Sequence, residues 1–161
     1  MRASSSLTWG GCTIPGDGGV PAVAVSLTGP TAAHARAQAR HAIDAGADVL
    51  ELRVDLLEEV DALVAFTEAP GEEPSTTDSM VVTTAAAQVL ECLRRMADVV
   101  DVTPLLLTCR TAAEGGRARL DDSGYGALLC SVLDGLADWA PERRPVAIDI
   151  EVQRGCLPQV C

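Results

Sequence analysis

The sequence contains no lysine and no asparagine, and aromatic residues make up only 2% of its 161 positions. Each absence excludes something. Without lysine the 161 residues hold no side-chain amine, so chemistry that runs through a lysine nucleophile has no group here. Without asparagine there is no N-glycosylation acceptor. No apolar run approaches the roughly 18–20 residues of a membrane-spanning helix, and the first nineteen residues lack the apolar stretch of a secretory signal. Positive charge is scarce as well. Twelve arginines face 23 acidic residues, for a net charge of −11. Nucleic acid and anionic membranes call for the opposite sign, so neither is expected as a partner.

What is present fits one α/β unit. The hydrophobic fraction is 48%, enough for a packed core in a chain of this length. The six cysteines show no C-x-x-C spacing, and half of them sit in apolar periodic segments. That pattern suits reduced cysteines in a cytoplasmic protein better than a disulfide framework or a zinc site, and no metal or cofactor is expected.

Short apolar runs alternate with longer amphipathic stretches. Residues 21–27 (PAVAVSL), 48–55 (DVLELRVD), 104–110 (PLLLTCR) and 145–151 (PVAIDIE) are expected as strands. Helices are expected over 31–45, capped by Thr31 and ended at Gly46, over 81–100, and over 125–139. A short helical turn fits 56–66. Residues 67–79 (TEAPGEEPSTTDS) are polar, acidic and rich in proline, and read as a loop. Residues 1–19 read as a flexible leader and 152–161 as a tail outside the pattern. Strand and helix in strict alternation predict parallel pairing through helical crossovers.

Strand chemistry decides between an open sheet and a barrel. Side chains alternate faces along a strand, so Glu51, Arg53 and Asp55 share one side while Leu50, Leu52 and Val54 share the other. Asp149 and Glu151 oppose Ile148 and Ile150 in the same way. Thr108 and Arg110 oppose Leu107 and Cys109, and Ser26 opposes Val25 and Leu27. Four consecutive strands thus carry polar groups near their C-terminal ends on one face. Unpaired charges on the doubly covered face of an open sheet would cost several kcal/mol each. In a barrel that face is the interior, and its C-terminal mouth is where active sites are built. Asp149 and Glu151 are expected to pair with the arginines of this face. His34 and His41, seven residues apart on the first helix, lie about 10 Å apart along its axis and cannot share a metal ion.

The segments VSLTG at 25–29, ELRVD at 51–55, PLLLTCRTAAEGG at 104–116 and IDIE at 148–151 together resemble the type I 3-dehydroquinate dehydratases. The resemblance covers residues 20–151 and implies the N-terminal half of a (β/α)8 TIM barrel, here about four parallel strands and three helices of a fold that needs about 250 residues. It implies a carbon–oxygen lyase of the shikimate pathway, which removes water from 3-dehydroquinate to give 3-dehydroshikimate. In that family a lysine forms a Schiff base with the substrate ketone and a histidine moves protons. Carried over by motif, Ser26, Glu51, Arg53 and Arg110 match substrate-binding positions. Glu114 matches the glutamate that orients the catalytic histidine. The family's histidine and lysine lie on later strands, and no residue here matches them.

The expectation is therefore a truncated member, inactive by itself, with 3-dehydroquinate as its small-molecule partner and a homodimer as the assembly where the barrel is complete. The alternative is a non-catalytic half barrel that associates with itself or with a complementary half.

Overall fold

Parallel strands need long crossovers, and the chain supplies them between four strands aligned in one sheet. The computed structural model describes residues 6–9, 12–14, 19–63, 79–100, 103–152 and 155. A small antiparallel hairpin, β1 (Leu7–Trp9) with β2 (Cys12–Ile14), pairs Thr8 with Thr13. It falls within the segment read as a leader, where no strand was expected. The main sheet holds β3 (Ala24–Leu27), β4 (Val49–Arg53), β5 (Leu105–Thr108) and β6 (Ala147–Asp149), in that order and all parallel. Three helices provide the crossovers: α1 (Ala32–Asp44), α2 (Ser79–Met96) and α3 (Asp122–Leu136).

Local chemistry accounts for the boundaries. Thr31 caps α1, its hydroxyl accepting from the His34 amide as N-cap geometry requires. The helix closes just before Gly46, as the sequence suggests. Asp121 caps α3 by accepting from the Gly124 amide at 2.7 Å, so this helix begins ahead of the expected position 125. The described part of the expected turn over 56–66 holds two 3-10 segments, Val54–Leu56 and Glu58–Leu63, and residues 64–66 lie outside the described residues. Most of the expected loop at 67–79 lies outside the described residues, and Ser79 already belongs to α2.

One apolar core lies between sheet and helices. The outward faces of the strands give it Leu27, Leu50, Leu52, Leu105 and Leu107. The small side chains Ala35 and Ala39 of α1, Val89 and Leu93 of α2, and Leu128 and Val132 of α3 meet them. Cys109 is buried there too, on the face opposite Arg110. Burying a leucine contributes about 2 kcal/mol over leaving it exposed, so this face fixes the strand register. The other face of the sheet is thereby set, and it carries the polar residues. No helix among the described residues is long and apolar enough to cross a membrane.

Candidate active site

Register places the polar side chains of the inner face in rows. Ser26 stands beside Glu51, and Glu51 beside Leu106. One row further, Arg53 stands beside Thr108 and Thr108 beside Asp149. Ser26 donates its hydroxyl proton to Glu51 Oε2. Both residues keep contact with solvent, so this carboxylate and hydroxyl remain able to meet a ligand's hydroxyl groups. The sheet thus brings Ser26, Glu51, Arg53 and Arg110 to one face.

The two arginines are held differently. Arg53 forms a two-point pair with Asp55, Nε to Oδ1 at 2.9 Å and Nη2 to Oδ2 at 2.8 Å. Asp55 does not extend the strand, as period-two alternation suggests. The chain enters a 3-10 turn at Val54, and the carboxylate curls back to a position only 1% exposed. There it also accepts the backbone amides of Arg110 and Arg117. Burial pushes the Asp55 pKa up, but Arg53 and the two amides outweigh it and hold the carboxyl below its usual range.

Arg110 bridges two carboxylates: Nη1 donates to Glu114 Oε2 at 2.6 Å, and Nη2 lies 3.0 Å from Asp149 Oδ2. Glu114, one turn along, therefore contacts Arg110. His34 and His41 are exposed on α1, where His34 bonds the Thr31 hydroxyl and His41 the Ala37 carbonyl. Both fall outside the polar face.

Glu151, expected to pair with an arginine, is bound by Thr111. It is 2% exposed, accepts from the Thr111 amide at 2.7 Å and from its hydroxyl at 2.8 Å. Its own amide donates to Tyr125 Oη at 3.2 Å. Burial pushes the Tyr125 pKa up, so its hydroxyl stays protonated. Asp149 does pair with an arginine, as expected.

The loop after β5 is folded back on its own base. Ala118 donates to the Arg110 carbonyl and Ala112 to the Ala118 carbonyl. Gly115 has φ of +83°, and a Cβ on Gly116 would run into the Arg110 carbonyl, so the two adjacent glycines are what this closure needs. Thr108, buried on the same face, has a hydroxyl that finds no hydrogen-bond partner among the described residues. Alternation points to Ser26, Glu51, Arg53 and Arg110 from the sequence. Alternation places Thr108 on that face as well, whereas the roles of Asp55 and Thr111 depend on chain turns that alternation does not encode. No group of three or more His, Cys, Asp or Glu side chains among the described residues is placed to hold a metal ion.

The arrangement offers two guanidiniums, a hydroxyl and several carboxylates converging on an open polar face. Such a set suits a small polyhydroxylated acid, the arginine forks taking the carboxylate and the carboxylates taking hydroxyl donors.

Comparison with known proteins agrees in sequence and in fold. The family profile of type I 3-dehydroquinase matches residues 23–154. The 3-dehydroquinate dehydratases of Salmonella paratyphi B and Salmonella dublin are each 31% identical over 121 residues, 74% of this chain and 39% of theirs. The chain therefore spans about two fifths of the length of these curated relatives. Among solved structures, the type I 3-dehydroquinate dehydratase of Clostridium difficile superposes with a TM-score of 0.68 at 21% identity, over 98% of this chain and 50% of that one. The 3-dehydroquinate dehydratase of Enterococcus faecalis gives 0.60 at 20% identity, over 88% and 49%. The four parallel strands and three helices are part of a (β/α)8 barrel.

Proposed function

This chain belongs to the type I 3-dehydroquinase family, and we propose that its inner strand ends form the binding half of a 3-dehydroquinate site. The observation that carries this reading is the convergence of Arg53 and Arg110 with Glu51 and Ser26 on one face of the sheet. Arg110 would exchange one of its two carboxylate partners for that of the substrate, and Arg53, still held by Asp55, would offer its remaining N–H donors. Ser26 and Glu51 would hold a substrate hydroxyl. Glu114, already against Arg110, would orient a histidine contributed from outside these residues.

The reaction itself needs an amine to form an imine with the substrate ketone, which withdraws electrons while water leaves. It also needs a base whose pKa lies near working pH. None of the 161 residues is a lysine, and both histidines sit on the exposed face of α1. As a polypeptide of these residues alone, the chain binds its substrate without dehydrating it. In this reading it works in the cytoplasm on a small molecule. Incubation with 3-dehydroquinate and borohydride, followed by intact-mass spectrometry, tests the point. The expected mass is unchanged, and a substrate-sized adduct would refute the division into binding and reacting halves.

A second reading is supported by the sheet edges. Among the described residues β3 and β6 are each paired on one side only, and such edges invite another strand. On this reading the chain is a non-catalytic half barrel that associates with itself or with a complementary half. Sedimentation separates the readings: a folded monomer at micromolar concentration counts against the second.

A further inference from the structure

We infer that Asp55 is the positioning residue of this site, a single buried carboxylate that sets where both arginines stand. The inference rests on the proposal that Arg53 and Arg110 meet the substrate, and it deepens that reading. Each Asp55 oxygen takes one guanidinium proton and one backbone proton. Oδ1 accepts from Arg53 Nε at 2.9 Å and from the Arg110 amide at 3.2 Å; Oδ2 accepts from Arg53 Nη2 at 2.8 Å and from the Arg117 amide at 3.1 Å. The clamp joins the end of β4 to both ends of the loop that follows β5. Gly116, pressed against the Arg110 carbonyl, lies inside that loop.

Three features separate this arrangement from an ordinary surface ion pair. The carboxylate is buried whereas Arg53 keeps some exposure, so the anchor is fixed and the fork is presented. Four donors fill the acceptor directions of both oxygens, which a carboxylate can provide and a carboxamide cannot. Finally, the Arg110 amide is held by Asp55 while its guanidinium is left to Glu114 and Asp149. The backbone of Arg110 is thus fixed independently of its head group, so a ligand can displace one of those side-chain partners without moving the strand end. Preorganisation of this kind spares the ordering entropy that binding otherwise costs.

The test uses the whole chain, isotope-labelled, without ligand, and the variant Asp55→Asn. An asparagine turns one acceptor into an NH2 that faces existing donors. Hydrogen exchange at Arg53 Nε–H and at the Arg110 and Arg117 amides is expected to rise about tenfold or more. The Thr111 amide, held by Glu151, is expected to keep its rate. Unchanged exchange at all three sites in a folded variant would overturn the inference. Should Asp55→Asn fail to fold, the native chain decides: Arg53 Nε–H is expected to exchange at least about tenfold slower than Arg95 Nε–H, which is bonded to exposed Glu91. Equal rates would overturn the inference. No substrate enters these measurements, so a failure to bind 3-dehydroquinate would remove the proposed function and leave the clamp standing. The link between the two is read by adding 3-dehydroquinate to the variant. Its shifts at Arg53 and Arg110 are expected to vanish while those at Ser26 and Glu51 persist. Identical shifts in variant and native chain would sever the link.

Discussion

Glu151 grips Thr111 at two points, accepting the amide proton at 2.7 Å and the hydroxyl proton at 2.8 Å, with 2% of its surface exposed. This joins the end of the fourth strand of the sheet to the start of the loop that carries Glu114. Truncation leaves a buried amide without its charged acceptor. Glu151→Ala is expected to lower stability by about 3 kcal/mol, and Glu151→Gln, which keeps one acceptor, by about 1 kcal/mol. Urea unfolding followed by circular dichroism gives both values. Equal midpoints for the native chain and Glu151→Ala would show that the grip contributes nothing.

The two glycines of the loop make separable predictions. Gly115 needs a positive φ but has open space around its α-carbon, so Gly115→Ala should cost about 1 kcal/mol of backbone strain. A methyl group on Gly116 meets the Arg110 backbone instead. Backbone cannot swing aside as a side chain can, so Gly116→Ala should cost more and should shift the Arg110 and Arg117 amide resonances. A Gly116→Ala chain with native resonances would contradict the loop closure.

Acid should weaken the fold through Asp55. Its carboxyl is held below the ordinary range in the folded chain. Its contribution is therefore complete above about pH 4, the pKa of an unfolded aspartate, and is lost as pH falls through the lower folded value. The urea midpoint of the native chain is expected to fall across that acid window, and the Asp55→Asn midpoint to fall less steeply there. Parallel curves for the two would place the acid sensitivity elsewhere.

Cysteine reactivity offers an independent check of packing. Cys92 is buried, and burial together with nearby Glu59 pushes its thiol up to about 12. Cys12 and Cys130 are half-buried. Since the thiolate is the reactive form, iodoacetamide at mildly alkaline pH should label Cys12 and Cys130 well before Cys92. Peptide mapping would show the order, and early labelling of Cys92 would contradict the packing of α2 against Glu59.

The sequence made the polar face legible because alternation is a strict rule within a strand. Ser26, Glu51, Arg53 and Arg110 lie where period two puts them. It stopped being a guide where strands end. Asp55 follows Arg53 by two residues, yet a 3-10 turn intervenes and carries it beneath the loop. Glu151 accepts from both the amide and the hydroxyl of Thr111, and nothing in residue type encodes those two contacts. The first hairpin had a readable sign in Gly10-Gly11 between the runs LTW and CTI. Each strand is only three residues long, too short for alternation to stand out. The start of α3 at Asp121 carried a capping signal that the apolar spacing obscured.

On the proposed function, the inner strand ends of this chain receive 3-dehydroquinate. Chemical-shift mapping of the labelled chain with 3-dehydroquinate tests it most directly, at ligand concentrations of about a millimolar and above, suited to a weak site. Shifts are expected to be confined to Ser26, Glu51, Arg53, Thr108 and Arg110 and their strand neighbours. Shifts scattered over the outer helices, or no shift at any of these residues, would contradict it.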